Sequence, residues 1–234
     1  MIQHIGRTLA ALALAIAPAL GSAPAQAALH RGPATPAVIA QLEDAISVML
    51  TADEDRSGYS SSLFPHWNDG RNTVDDCSTR QEVLIAEAVE EPTVGPGCTL
   101  AGGRWVSYYD AQSVTRAASL EVDHVVPLAE AWGSGARTWT TERREAYAND
   151  QAAPATLAAV TARMKREKAD QDITGWLPPE STPYCRYIGE WVGTKLRWGL
   201  STDKDELESL KLFADGPCET TIVRYTPAPG STPT

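Results

Sequence analysis

The sequence predicts an α+β fold that is mostly helical and contains a small sheet. Several stretches repeat apolar residues at helical spacings of three and four, whereas only short segments have the β-branched and aromatic content of strands. Four cysteines follow a secretory signal pattern, which predicts that disulfides stabilise the fold. At 234 residues, the chain is long enough for one domain with a substantial core.

The N-terminal segment, residues 1–27, is predicted to be a cleaved secretory signal peptide. A short, positively charged start that contains Arg7 precedes an apolar run and a small-residue AQA pattern at 25–27. The run is too short to span a bilayer, so we expect a secreted chain with no membrane segment in its mature form. The domain is then expected over 28–225, and the Pro, Gly, Ser and Thr content of 226–234 predicts a disordered tail.

The predicted elements follow from apolar periodicity, capping residues and Pro or Gly punctuation. Residues 79–82 have a capping-box pattern. In chain order, the predicted helices cover 36–55, 79–90, 128–132, 140–148, 162–170 and 184–200, with a last helix capped by Ser201. The predicted strands cover 104–109, 120–127 and 157–160. The turn-rich stretches 57–76 and 92–103 are predicted to be loops.

The four cysteines are Cys77, Cys98, Cys185 and Cys218. An even count in an exported chain predicts two disulfides, for which three pairings are possible. We favour Cys77–Cys98 and Cys185–Cys218, because each pair closes a loop within one sequence neighbourhood. A zinc site is the alternative, but the absence of a C-x-x-C pair and the scarcity of histidine disfavour it.

The charge of the chain is acidic as a whole and basic in one stretch. The formal net charge of −10 disfavours general binding to polyanions, because nucleic-acid affinity comes largely from neutralised phosphates. Residues 137–168, however, carry seven Arg or Lys against four Asp or Glu. A basic stretch inside an acidic chain indicates that phosphate binding, if present, is local.

The residues that could carry chemistry surround Asp123-His124 on the strand predicted at 120–127. Asp123-His124 is followed by the polar pair Asn149-Asp150 and by a second short strand. A charged helix comes next and contributes Lys165, Lys168 and Asp170. Phosphodiester hydrolysis needs such parts: oxygen ligands for a hard divalent ion, a neutral imidazole as general base, and cations for the phosphates. His66, between Pro65 and Trp67, is instead expected to be a packing or surface residue.

Several sequence blocks together resemble secreted bacterial HNH endonuclease-like proteins, which are related to the C-terminal nuclease domain of GmrSD-type restriction endonucleases. The blocks are LEVDHVVPLAEAW at 120–132, CSTRQEVL at 77–84, GRWVS at 103–107, YAND at 147–150 and KADQD at 168–172. The resemblance implies a ββα-metal core over about 118–172, in which two strands and a helix hold one divalent ion, Mg²⁺ or alternatively Mn²⁺.

The resemblance also implies roles for individual residues. His124 would be the general base, Asn149 would tie the hairpin so that His124 is oriented, and Lys168 would complete the catalytic set. The implied metal ligands are Asp123 and, as a substitute oxygen ligand, Asp170. Arg80, Asp110 and Lys165 would contact the substrate or support the site. The implied function is a secreted metal-dependent endonuclease that hydrolyses DNA, with RNA as the alternative substrate, and that has no evident protein partner.

One position departs from the family pattern. Relatives usually read NRSKGD where this chain reads KREKAD at 165–170. Lys165 therefore stands where the final metal ligand is expected, and a protonated amine has no acceptor lone pair. Three interpretations stay open: Glu167 or Asp170 supplies the missing ligand, Lys165 replaces the metal as the electrophile, or the site is inactive. In the last case, the chain would be an HNH-like binding or structural protein.

Overall fold

A computed structural model describes residues 36–231, and every structural statement below refers to these residues. The predicted signal peptide, residues 1–27, lies outside this range, as do residues 232–234 of the predicted tail. The described residues form a mixed structure of helices and small two-stranded sheets. This confirms the mixed helix and sheet content that the sequence predicts, together with disulfide stabilisation.

The elements of the described residues are short, apart from two helices near the C-terminal end. The α-helices are α1 Leu42–Ser47, α2 Thr79–Ala86, α3 Leu128–Gly133, α4 Thr141–Ala148, α5 Ala162–Lys168, α6 Tyr184–Trp198 and α7 Lys204–Ala214. The strands are β1 Val38–Gln41, β2 Leu50–Thr51, β3 Thr93–Gly95, β4 Thr99–Ala101, β5 Trp105–Ser107, β6 Gln112–Val114, β7 Leu120–His124, β8 Leu157–Thr161, β9 Ser201–Thr202 and β10 Ile222–Tyr225.

The strands pair in five two-stranded sheets. The pairs β1–β10, β3–β4, β5–β6 and β7–β8 are antiparallel, and β2–β9 is parallel. The pair β7–β8 has the longest register, from Leu120 opposite Thr161 to His124 opposite Leu157. The two strands and the helix predicted around Asp123-His124 are therefore present as β7, β8 and α5.

Side-chain caps fix where several helices begin. Ser78 caps α2 in a capping box with Gln81, one residue earlier than the sequence pattern predicts. Thr140 and Thr161 cap α4 and α5 by accepting a hydrogen bond from a backbone N–H in the first turn. Asp203 caps α7 in the same way, whereas the predicted cap, Ser201, lies in β9.

The two ends of the described range differ from the sequence prediction. Residues 38–41, predicted to be helical, form β1 and pair with β10, a strand that the sequence did not predict. The pairing joins segments far apart in the chain, and helical spacing alone cannot anticipate such a contact. Residues 226–231 do not form the predicted disordered tail, because Ala228 is buried and its N–H donates to the carbonyl of Arg197 at 2.8 Å.

Both favoured disulfides are present, which excludes the zinc alternative. Cys77 is bonded to Cys98 and Cys185 to Cys218, so no cysteine is free to bind a metal. The first disulfide joins the loop before α2 to the segment before β4. The second joins the first turn of α6 to the segment after α7.

Two apolar clusters lie on either side of the β7–β8 pair. The larger contains Tyr187 and Trp191 of α6, and the smaller contains Leu120 and Val122 of β7 with Leu84 of α2. Because side chains alternate along a strand, a residue next to Val122 points away from the smaller cluster. Asp123 follows Val122, so its side chain lies on the face of the β7–β8 pair that α5 covers.

Candidate functional site

The centre of the site is a buried carboxylate between two lysines. Asp123 is fully buried on β7. Lys165 and Lys168 lie three residues apart on α5 and therefore share one face of that helix. Lys165 Nζ lies 2.6 Å from Asp123 Oδ1, and Lys168 Nζ lies 2.8 Å from Oδ2. The hydroxyl of Tyr109 also donates to Oδ2, at 2.8 Å.

The cluster carries one more positive charge than negative charge. Burial favours a raised pKa for Asp123, but Lys168 and Lys165 outweigh it and lower this pKa to about 2. Burial lowers the pKa of Lys168 to about 8, although Asp123 opposes this shift. The side chain of Lys168 is fully buried, whereas that of Lys165 is 31% exposed. Lys165 therefore presents the excess positive charge to solvent.

The side chains around Asp123 do not fit the divalent ion that the sequence predicted. Each oxygen of Asp123 already has an ammonium group within 2.8 Å. An ion at a ligand distance of about 2.1–2.5 Å would lie beside one of these positive charges. Asp170, the predicted substitute ligand, belongs with Asp123 to no group of three or more His, Cys, Asp or Glu side chains close enough to share an ion among the described residues. The structure therefore gives the predicted ligand pair no support.

Another group of carboxylates in the described part of the chain is close enough to share an ion. It consists of Glu54, Asp172 and Asp203, whose oxygens lie within 4.8 Å of one another. None of these residues contacts Asp123 or His124. This acidic group therefore gives no support for a metal at the predicted site.

His124, at the end of β7, is held in one orientation. Its ring stacks on Trp67 with centroids 5.3 Å apart and on Tyr147 with centroids 6.3 Å apart. Nε2 lies 2.8 Å from the carbonyl oxygen of Ala148, which can only accept a hydrogen bond, so Nε2 carries the proton. Nδ1 makes no hydrogen bond to any residue in the described range. The neutral ring therefore has a free acceptor nitrogen.

The surroundings of His124 keep the ring neutral. Burial and the positive charge of Lys165 lower the pKa of His124 from its ordinary 6.5 to about 3. The hydrogen bond to Ala148 and the charge of Asp123 oppose this shift but do not cancel it. At neutral pH, the imidazole is therefore unprotonated at Nδ1 and able to accept a proton.

We expect the stability of the protein to fall as the pH is lowered from 6.5 towards 3. The unfolded chain takes up a proton on His124 near pH 6.5, whereas the folded chain does so only near pH 3. Because the unfolded state binds more protons in this window, the free energy of unfolding decreases by up to about 1.4 kcal/mol per pH unit. Urea unfolding at a series of pH values measures this slope. His124→Gln should flatten the slope, and an unchanged slope would contradict the assignment.

His124 and Lys165 line a cavity of about 320 Å³. His66 and Trp67 lie on its wall, and so do Tyr59 and Asp170. This volume is at the small end of the range for sites that bind small molecules or parts of larger ones. The cavity thus combines a cation, two imidazoles and aromatic side chains.

The C-terminal end of α4 positions both histidines. The carbonyl of Ala148 accepts from His124, and the side-chain amide of Asn149 donates to the carbonyl of Pro65 at 2.9 Å, directly before His66. The sequence predicted that Asn149 orients His124. This is corrected: Ala148 contacts His124, whereas the side chain of Asn149 holds the segment that carries His66.

Three other predicted site residues have supporting positions. Lys168 was predicted to be catalytic, but its buried ammonium group donates to the carbonyl of His124 at 2.9 Å and cannot contact a substrate. Arg80 donates to the carbonyl of Leu120 at 2.9 Å, and Asp110 accepts from the hydroxyl of Thr161 at 2.8 Å. Arg80 and Asp110 therefore hold the far end of the β7–β8 pair and do not line the cavity.

Sequence reasoning missed His66 and Trp67. His66 was predicted to be a packing or surface residue, and it is exposed, but the sequence did not show that its ring centroid lies 6.3 Å from that of His124. Trp67 has a φ of 59°, a backbone conformation that bulky residues rarely adopt, and it stacks on His124. The only sequence signal was a scarce histidine beside a tryptophan. Local spacing could not show that this loop meets β7.

Comparison with known proteins finds a secreted fungal relative of this chain. The chain is 38% identical over 155 residues to an uncharacterized secreted protein of the fungus Arthroderma benhamiae. The match covers 66% of this chain and 74% of that protein. No family model matches the chain, and no solved structure matches it.

These findings correct one sequence interpretation and confirm another. The resemblance to bacterial HNH endonucleases and to GmrSD-type nuclease domains is wrong as an assignment, because the relative is fungal and no HNH family model matches. The prediction of secretion is confirmed by the secreted relative. In the described range, no helix has the length and apolar character of a membrane span.

Proposed function

This chain belongs to the same family as the secreted protein of Arthroderma benhamiae, and we propose that it acts outside the cell. We propose further that it is an endonuclease that cleaves phosphodiester bonds of nucleic acid. One observation carries the proposal: His124, whose Nδ1 makes no hydrogen bond among the described residues, and Lys165, whose side chain is 31% exposed, line the same cavity. A base and a cation side by side suit attack on an anionic phosphodiester.

Lys165 supplies the positive charge in this proposal. Asp123 neutralises one of its two lysine partners, and the remaining charge is presented by Lys165 at the cavity. The ammonium group stabilises the negative charge that develops on the phosphate oxygens, a task that a divalent ion performs in many nucleases. This is the second of the three sequence interpretations, in which Lys165 replaces the metal.

His124 is the general base in this proposal. Its ring is fixed by two stacking partners and by the carbonyl of Ala148, so Nδ1 is the nitrogen that accepts the proton of the attacking nucleophile. A bound phosphate beside Lys165 would also offset the Coulombic effect by which this lysine lowers the pKa of His124. Substrate binding would therefore make the base stronger.

The acidic net charge limits the proposal to local phosphate contacts. Two carboxylates line the cavity, and of these Glu121 lies 3.7 Å from Arg80, which partly neutralises it. Asp170 is exposed at the rim. We therefore expect contact with few phosphates and a shallow dependence of affinity on salt concentration.

The test is cleavage of plasmid DNA and of a long RNA by the purified secreted chain, with EDTA and separately with Mg²⁺ or Mn²⁺. We expect cleavage of at least one polymer to persist in EDTA, because the described side chains around Asp123 fit no ion. His124→Gln should reduce the rate by about 10²-fold or more, since a positioned base contributes about 10²–10⁴.

Two other results would decide against this proposal. Cleavage that EDTA abolishes would show that a metal is needed after all, as the sequence first indicated. No cleavage of either polymer under any condition would favour the alternative, in which the chain is a binding or structural protein with an inactive site. A thermal unfolding curve of His124→Gln must accompany the assay, so that loss of the fold is not mistaken for loss of the base.

A further inference from the structure

We propose that the nucleic acid cleaved in this cavity is RNA, with the 2′-hydroxyl of the RNA as nucleophile and with His124 and His66 as general base and general acid. This inference rests on the proposed function and names its substrate class. The observation behind it is the pairing of two imidazoles beside one ammonium group, in a cavity where no three His, Cys, Asp or Glu side chains of the described residues lie close enough to share an ion.

The two histidines are held by complementary hydrogen bonds to backbone carbonyls. His124 donates from Nε2 to Ala148 at 2.8 Å, and His66 donates from Nδ1 to Phe64 at 2.7 Å. Nδ1 of His124 and Nε2 of His66 make no hydrogen bond among the described residues. The ring centroids are 6.3 Å apart with an interplanar angle of 89°. Each ring therefore has one fixed nitrogen and one nitrogen free for proton transfer.

This arrangement suits a reaction that needs one proton removed and one supplied. The 2′-oxygen attacks the adjacent phosphorus while its proton passes to Nδ1 of His124. The bond from phosphorus to the 5′-oxygen breaks, and this oxygen takes a proton from Nε2 of a protonated His66. The products are a 2′,3′-cyclic phosphate and a free 5′-hydroxyl, and no oxidant or further reactant is consumed. Lys165 stabilises the charge on the phosphate during the exchange.

RNA is favoured over DNA because its nucleophile is already in place. A neighbouring hydroxyl on the substrate reacts intramolecularly, and correct positioning of such groups is worth as much as about 10⁵–10⁸ M in effective concentration. DNA lacks this hydroxyl, so the same residues would have to activate a free water molecule without the help of a bound ion. The aromatic rings of Tyr59 and Trp67 on the cavity wall can stack on unpaired bases, as is common in RNA recognition.

The test uses three oligonucleotides of one sequence, incubated with the secreted chain in EDTA. The first is DNA with one ribonucleotide, the second carries a 2′-O-methyl group at that position, and the third is entirely DNA. We expect cleavage of the first alone, directly after the ribonucleotide, with a cyclic phosphate and a 5′-hydroxyl identified by mass spectrometry. Equal cleavage of all three would overturn the RNA inference but leave the proposed endonuclease standing. Cleavage of none, together with failure on polymers, would overturn both.

The role of His66 has a separate readout. His66→Gln should slow cleavage of the ribonucleotide substrate by about 10²-fold, because the 5′-oxygen then leaves without a proton. The same variant should cleave a uridine 3′-phosphodiester with a 4-nitrophenyl leaving group at nearly the normal rate, because nitrophenolate needs no acid. An equal loss on both substrates would show that His66 only supports the structure, which would overturn its assignment as the acid.

Discussion

Replacing Lys195 by methionine is expected to destabilise the protein by about 3–5 kcal/mol, the cost of removing one partner from a buried ion pair. Lys195 is fully buried on α6, and its Nζ lies 2.7 Å from Glu130 Oε1 and 2.5 Å from Glu206 Oε2. Ser134 and the carbonyl of Ser201 complete its hydrogen bonds. Without Lys195, two buried carboxylates would face each other with too little positive charge.

The charges of the ion-pair network formed by Lys195, Glu130 and Glu206 explain why the expected loss of stability is large. Burial favours a raised pKa for Glu130, but Lys195 above all lowers it to about 2, so the carboxylate is ionised in the folded protein. Arg56 contacts the other oxygen of Glu130 at 2.7 Å and would remain in Lys195→Met. Glu206 would keep only the indole N–H of Trp191 as a side-chain partner. Most of the destabilisation should therefore come from Glu206.

Urea unfolding at pH 7 measures the effect, with Lys204→Met as the matched control. Lys204 lies on the neighbouring α7 with its side chain 81% exposed, 3.8 Å from Glu208, so its loss should change stability by less than about 0.5 kcal/mol. Adding Glu206→Gln to Lys195→Met should recover part of the lost stability, because it removes the uncompensated charge. A loss below about 1 kcal/mol in Lys195→Met would show that the network adds little.

The elements that the sequence predicts well are those with local signals. The strand around Asp123-His124 and the helix that contains Lys165 appear at the expected places, because alternation and a Thr161 cap act within a few residues. Both disulfides also form as the favoured pairing predicts, between cysteines 21 and 33 residues apart. Local patterns therefore account for the part of the fold that carries the site.

The parts that the sequence does not predict depend on distant contacts. The pairing of β1 with β10 joins opposite ends of the described range. Lysine is usually exposed in folded proteins. Lys168 is nevertheless buried, because Asp123 and the carbonyl of His124 bind its ammonium group. His66 approaches His124 across 58 residues of chain. No periodicity in the sequence predicts these contacts, because each depends on how separate elements of the fold pack together.

Replacing Lys165 by methionine is expected to reduce the cleavage rate by about 10²–10³-fold, the usual cost of losing one group that stabilises transition-state charge. The fold should persist, because Asp123 keeps Lys168 at 2.8 Å and the hydroxyl of Tyr109 at 2.8 Å. The measurement is kcat and KM on the polymer that the wild-type protein cleaves, with thermal unfolding as the check on folding. Lys165→Arg should retain more activity than Lys165→Met, because it keeps the charge in a different geometry.

The pH dependence of the rate distinguishes an electrostatic role of Lys165 from a structural one. Lys165 lowers the pKa of His124 through its charge, so removing it raises this pKa. The acid limb of kcat/KM, which reports protonation of the base in the free enzyme, should therefore move to higher pH in Lys165→Met. Arg166→Met is the matched control, because Arg166 is an exposed cation on the same helix with no ion pair among the described residues. Two results would mean that Lys165 contributes only general positive charge. One is a reduced cleavage rate in Lys165→Met with no shift in the pH of the acid limb, and the other is an equal loss of rate in Arg166→Met.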